Sequence, residues 1–245
     1  MALFEYDGTV SAATPRYVLK PDPHSSHSII LAWLGEGRGR RILDVGAADA
    51  LVGRRLTEHG WRVTGIEGDP ALAQAGAPYC ERMITANLNR EVPEVQGPFD
   101  AILYGDVLEH LIDPSRVLVE LNRSLVPDGF VIVSVPNIAH VYIRLLLLLG
   151  RFDYLDRGIL DNTHLRFFTA RSLRTLLDDA GLVVERFSAT PAPLYQVLPE
   201  RWHKRWVAVT HTINAAIARN LPRVLGYQFI VLARPKGGAL GAGRE

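Results

Sequence analysis

The sequence predicts an α/β fold, a doubly wound and mostly parallel sheet, on two observations. Short, nearly continuous apolar runs recur at residues 41–45, 62–67, 82–86, 99–104 and 130–135. Helical patterns at 51–59, 70–77 and 114–125 fall between several of them. Strands without polar alternation, interleaved with helices, are the pattern of a parallel sheet covered on both faces.

Taken in order, the chain opens with Pro21-Asp22-Pro23. A short helix over residues 25–34 follows, with Ile29, Ile30, Trp33 and Leu34 at helical spacing and serines available as N-cap. Gly35-Glu36-Gly37-Arg38-Gly39 then separates it from the first strand. After residue 135 the regularity breaks into an insertion over 137–168, which holds a leucine run and Asp161-Asn162-Thr163-His164. Residues 169–180 are again helical, closed by Gly181 as a C′ residue. Strands over 182–187 and 227–233 bracket a long helical segment at 199–221, whose basic and aromatic residues include Arg201, Trp202, Lys204, Arg205 and Trp206. That segment suits either a membrane surface or a packed helix with a solvated face. The expected organisation is a cap segment (1–40), one domain (41–235) and a flexible glycine-rich tail (236–245).

Composition narrows the function classes. The chain has 245 residues, 27 basic and 26 acidic side chains, and a net charge of +1. This balance removes the electrostatic case for wholesale nucleic-acid binding. A single cysteine, Cys80, excludes an internal disulfide and any cysteine-based zinc site. The first ten residues do not read as a signal peptide, and the longest apolar stretch, 141–149, is about half a membrane span. A soluble, cytoplasmic protein is expected.

The most informative segment is the first strand and turn, Ile42-Leu43-Asp44-Val45-Gly46-Ala47-Ala48-Asp49-Ala50. Glu67 closes the next strand. In an open parallel sheet this brings a close-approach loop and a carboxylate together, where the carboxylate accepts from both hydroxyls of a ribose. A dinucleotide turn would read G-x-G-x-x-G. Here its positions are Gly46, Ala48 and Leu51, and Asp49 places negative charge where phosphates would sit. Such a turn disfavours a nicotinamide-dependent dehydrogenase. It suits a cofactor with a cationic tail and no phosphate, such as S-adenosylmethionine (SAM).

With ILDVGAADA, VTGIEGDP, FDAILYGDVLEHLIDP and LVPDGFVIVSVPN in this order, the chain resembles the class I SAM-dependent methyltransferases over roughly residues 40–235. The resemblance implies a Rossmann-like sheet of seven strands with the last antiparallel. It also implies a SAM site built from the first motif with Asp44, Gly46 and Ala48, from Glu67 on the ribose, from Ile66 and Gly68 flanking the adenine, from Asn87 facing its amine, and from Asp106 bordering the methionine. The chain departs from the family's pattern in having Ala48 and Ala50 for glycines and Asn87 for an aspartate. The insertion PNIAHVYIRLLLLLGRFDYLDRGILDNTHLRFFT and the segment DPHSSHS resemble a bacterial subgroup associated with glycan or secondary-metabolite pathways.

Methyl transfer to a hydroxyl calls for a proton acceptor, most often histidine. His110, His140 and His164 fall near the carboxyl ends of strands four and five or in the insertion, and are the candidate catalytic residues. No metal site is expected, although Asp106, Glu109, Asp153 and Asp161 supply oxygen ligands. The expected reaction is O-methylation of a small-molecule or glycan hydroxyl. The alternative is a non-catalytic module of the same fold acting through a protein partner. Residues 145–149 admit an apolar substrate pocket, a lipid-carrier contact or a dimer face; the preferred expectation is an internal lid over the sheet.

Overall fold

The computed structural model describes residues 22–193 and 205–237. Seven strands form one sheet: β1 (Arg41–Val45), β2 (Arg62–Glu67), β3 (Arg82–Thr85), β4 (Phe99–Gly105), β5 (Leu125–Pro136), β6 (Leu182–Thr190) and β7 (Gln228–Pro235). Their order is β3-β2-β1-β4-β5-β7-β6. The first five run parallel, and β7 lies antiparallel between β5 and β6. Order reverses between β1 and β4, the switch point where open α/β sheets bind ligands at the strands' carboxyl ends.

The apolar runs are continuous because neighbouring residues feed opposite faces. Leu43, Val45, Ile102, Tyr104, Val131 and Val133 face the core shared with helices α4 (Pro114–Asn122) and α6 (Ala170–Asp179). Ile42, Val63, Leu103 and Ile132 face the opposite core, under helices α1 (Ser26–Leu34) and α2 (Leu51–Glu58). Trp61 anchors this second core: it is buried, and its Nε1 donates to Gly35 O at 2.9 Å. The glycine-rich link between α1 and β1 is thereby packed against the sheet.

Caps follow the sequence closely. Ser25 Oγ accepts from Ser28 N before α1, and Asp113 Oδ1 accepts from Arg116 N before α4. At helix α3 (Pro70–Gly76), Asp69 Oδ1 accepts from Ala71 N at 2.8 Å. Thr169 and Ser172 form a reciprocal capping box on α6. Cys80 is half-buried, its thiol pushed up to about 12 by burial and then by Asp44, which disfavours the nucleophilic thiolate at neutral pH.

Three expectations are revised. Strand β5 begins at Leu125 instead of 130, because Leu125 pairs with Phe99 across an irregularity before Ala101 pairs with Phe130. Helix α4 correspondingly stops at Asn122. The leucine run does not form an internal lid. It is helix α5 (Val141–Leu148), which buries Ile143 and exposes Leu145, Leu147 and Leu148, with its C-cap Leu149 exposed as well. Of the long segment expected at 199–221, helix α7 (Arg205–Asn220) is described and is followed by the short α8 (Pro222–Leu225). Pro21, Arg201, Trp202, Lys204 and the tail from residue 238 lie outside the described residues. Among the described residues, no helix is long and apolar enough to cross a membrane.

Candidate active site

The first turn leaves β1 through a run of left-handed backbone. Gly46, Ala48 and Ala50 have φ of 74°, 48° and 58°. The two alanines thus keep the backbone that glycine favours, at a cost of about 1 kcal/mol each. Two hydrogen bonds pin the turn from below: Gly46 N and Ala47 N both donate to Ile66 O, at 2.8 and 2.9 Å. A Cβ on Gly46 would stand 2.8 Å from Val107 Cγ2, so the turn approaches the segment after β4 as closely as backbone allows.

Glu67 ties this turn to the next one. Its Oε2 accepts from Ala48 N and its Oε1 from Asp69 N, both at 2.8 Å. Two main-chain donors fix the carboxylate at the end of β2, and the lone pairs they leave can take further hydroxyl donors. Gly68 beside it is exposed. Asn87 is exposed as well, its Oδ1 accepting from Asn89 N in an Asx turn. Asp44 sits 4% exposed beneath the turn, its carboxyl pushed up to about 7 by burial and then by Glu67.

On the other side of the switch point, Asp106 has φ 53° and is exposed at the end of β4. Its Oδ1 accepts from Ser134 Oγ at 2.7 Å and from Gln228 Nε2. Ser134 and Gln228 did not emerge from sequence reasoning. Their signal is a lone polar residue within the apolar run of β5, and a glutamine opening β7, where it pairs with Pro136 two residues further along β5. Asn89 was also missed: its side chain donates to His110 O at 3.0 Å and accepts from Ile112 N at 2.7 Å, bracing the loop after β3 against the turn after β4.

That second turn, a 3₁₀ helix over Leu108–His110, is where the insertion docks. Leu165 N and Arg166 N donate to Glu109 O at 2.8 and 2.9 Å. His110 and His164 therefore meet, with ring centroids 4.9 Å apart and edge to face. His164 is buried, which lowers its pKa and holds it neutral at neutral pH.

Two expected site residues have other work. Ile66 is fully buried in the sheet core, so its side chain cannot flank an adenine; its carbonyl anchors the turn instead. His140 stands apart from the other two histidines. It caps α5 with Nδ1 accepting from Tyr142 N at 3.2 Å, and it also hydrogen-bonds the backbone at Leu225. With the ring engaged on both sides and its pKa lowered by burial, it is a structural cap. A groove lined by Val92, Pro93, Gly97, Pro98 and Ser124 lies at the opposite, amino ends of β4 and β5 and carries none of these groups.

The residues collected at the carboxyl ends of β1, β2 and β4 fit a nucleoside with a cationic tail. They combine a tight left-handed turn, a carboxylate oriented by two main-chain donors, and further acidic groups at Asp49 and Asp106. Comparison with known proteins agrees. Residues 24–186 match the model of a family described as a methyltransferase domain. A ubiquinone biosynthesis O-methyltransferase from Pseudomonas paraeruginosa (strain DSM 24068 / PA7) is 29% identical over 175 residues, 66% of this chain and 74% of the relative. The protein of the same description from Pseudomonas aeruginosa (strain UCBPP-PA14) is 30% identical over 125 residues, 46% of this chain and 53% of its own length, so the chain spans about half of that relative. In fold, the chain resembles magnesium protoporphyrin IX methyltransferase from Synechocystis PCC 6803, solved with bound SAH, with TM-score 0.58, 16% identity, and coverage of 86% and 82% of the two chains. A SAM-dependent methyltransferase from Mesorhizobium loti gives TM-score 0.58 at 18% identity, covering 86% of this chain and 98% of the other. With a family match over more than half its length and the turn, carboxylate and strand order to accompany it, the chain belongs to the class I SAM-dependent methyltransferases.

Proposed function

We propose that this enzyme methylates a hydroxyl oxygen of a small molecule, with a glycan hydroxyl included in that class. The observation that carries the reading is the pair His110 and His164, brought together beside Asp106 by docking of the insertion. Relatives described as O-methyltransferases support an oxygen acceptor.

In this reading Gly46, Ala48, Glu67, Gly68, Asn87 and Asp106 hold SAM, and Asp44 and Ile66 support the turn from beneath. SAM, when bound, supplies a methyl group already activated by its sulfonium leaving group, so the protein must align the acceptor and relieve it of a proton. Glu67 binds by accepting hydroxyls while Ala48 N and Asp69 N keep its carboxylate oriented. Ser134 and Gln228 keep Asp106 facing the cleft. His110 and His164 assist loss of the hydroxyl proton.

Glu67→Ala removes a charged acceptor worth about 2 kcal/mol, so SAM affinity is expected to fall roughly 30-fold. Isothermal calorimetry on both proteins reads this directly, and unchanged affinity would remove Glu67 from the site. The reaction is tested by incubating the full chain with SAM and a panel of phenols, catechols and sugars, followed by mass spectrometry. An O-methylated product supports the proposal. SAM binding with transfer only to nitrogen or carbon acceptors overturns it.

A further inference from the structure

Glu109 is 1% exposed, and its Oε2 has no hydrogen-bond partner. Burial, and then the nearby Asp106, hold its carboxyl well above the ordinary range. A buried carboxylate of this kind is costly unless a proton or a cation accompanies it. Opposite it stand His110 and His164: one donor atom from each of the three residues lies within 4.8 Å of the other two.

The histidine tautomers follow from their neighbours. His164 Nδ1 is 3.1 Å from Ile159 O, and His110 Nδ1 is 3.2 Å from Thr163 O. A carbonyl only accepts, so each Nδ1 carries its hydrogen. Thr163 reinforces this, because its hydroxyl donates to Asp161 Oδ1 at 2.6 Å and presents a lone pair to His110 at 3.3 Å. Each ring is left with a basic Nε2. Imidazoles pinned through one nitrogen by a main-chain carbonyl are held as metal-ligating histidines usually are.

We propose that Glu109, His110 and His164 bind one divalent first-row transition-metal ion. Two imidazoles and one carboxylate are the donor set of ions such as Zn²⁺ and Mn²⁺, whereas Mg²⁺ prefers oxygen. Ligand bonds of about 2.1 Å place the donors of one ion roughly 3–3.5 Å apart, so binding would draw the three together from separations of up to 4.8 Å. His110 is only partly buried, which leaves that side open for entry and for a further ligand. The ion would also fasten the insertion, through His164, to the turn after β4. Resting on the O-methyl transfer reading for its role alone, the ion would acidify a hydroxyl bound to it, the proton passing to solvent water, and the two histidines would act as its ligands and not as proton acceptors.

The test is calorimetric titration of the tag-free full chain, stripped with chelator, with MnCl₂, ZnCl₂ and MgCl₂. Mn²⁺ binding is followed in parallel by electron paramagnetic resonance. One equivalent of Mn²⁺ or Zn²⁺ is expected to bind at micromolar concentration or tighter, with Mg²⁺ at least tenfold weaker. Glu109→Gln and His164→Ala should each weaken Mn²⁺ binding at least tenfold, while His140→Ala leaves it unchanged. Glu109→Gln preserves side-chain shape, and SAM affinity measured on the same samples reports an intact fold. Absence of stoichiometric binding, equal affinity in Glu109→Gln, or tighter binding of Mg²⁺ overturns the proposal. Failure of the transfer reading would appear in the product assay and leave these titrations unaffected.

Discussion

Gly46→Ala is expected to destabilise the ligand-free protein by about 2–4 kcal/mol and to weaken SAM binding at least tenfold. Two costs add. At φ 74° an L-residue pays about 1–2 kcal/mol, of which a smaller unfolded-state entropy gain returns part. The new methyl also stands 2.8 Å from Val107 Cγ2 and 3.0 Å from Val107 Cβ. Val107 is itself buried in the sheet core, so it has little room to yield, and overpacking of this kind costs about 1–3 kcal/mol. Urea unfolding gives the stability change and calorimetry the affinity. Adding Val107→Ala should relieve the clash but not the backbone strain, so the double variant should be more stable than the two single losses predict. A Gly46→Ala protein within 1 kcal/mol of wild type would show that the turn has room for the methyl.

Asp44→Asn is expected to flatten the pH dependence of stability between about pH 4 and pH 7. Burial, and then Glu67, raise the folded carboxyl from 3.8 to about 7. Within that window the folded state keeps a proton that the unfolded chain has lost, so wild-type stability falls as pH rises. Each unit contributes up to about 1.4 kcal/mol, giving an upper bound near 4 kcal/mol at pH 7 and above. The asparagine side chain has the same shape and no charge to bury, so the variant should be the more stable protein at pH 8. The two should converge near pH 4. Denaturant titrations of the ligand-free proteins at pH 4, 6 and 8 measure the difference, and parallel curves would mean that Asp44 is ionised in the fold.

Most of the sheet was legible in the chain because its strands are buried on both faces. Ile42 and Leu43 point to opposite cores, and so do Ile132 and Val133. An unbroken apolar run of that length has few other places to go. Punctuation was equally local: Asp69-Pro70 and Asp113-Pro114 start helices where their side chains cap them. The start of β5 was less legible, since residues 125–129 contain Pro127 and Gly129 and pair only across an irregular stretch. The leucine run misled for a related reason. Composition says that leucines prefer burial, but α5 buries only its Ile143 side, and Leu145, Leu147 and Leu148 stay exposed.

The sequence by itself determined the fold class, the close-approach turn after β1 and the carboxylate that closes β2, because each rests on periodicity or on contacts between consecutive strands. Tertiary structure alone decided which residues share a site. His110 and His164 are separated by a strand, two helices and a loop, and they meet because the insertion docks on the turn after β4, Leu165 and Arg166 on the carbonyl of Glu109 and Thr163 on His110. The same docking leaves the Glu109 carboxylate buried and directs both imidazoles through Nδ1 onto main-chain carbonyls. Ile66, placed in the site by the family resemblance, and His140, placed there by its position after β5, are held by packing in the core and at a helix cap. Burial and hydrogen-bond direction are properties of what surrounds a side chain, and that surrounding comes from segments far apart in sequence.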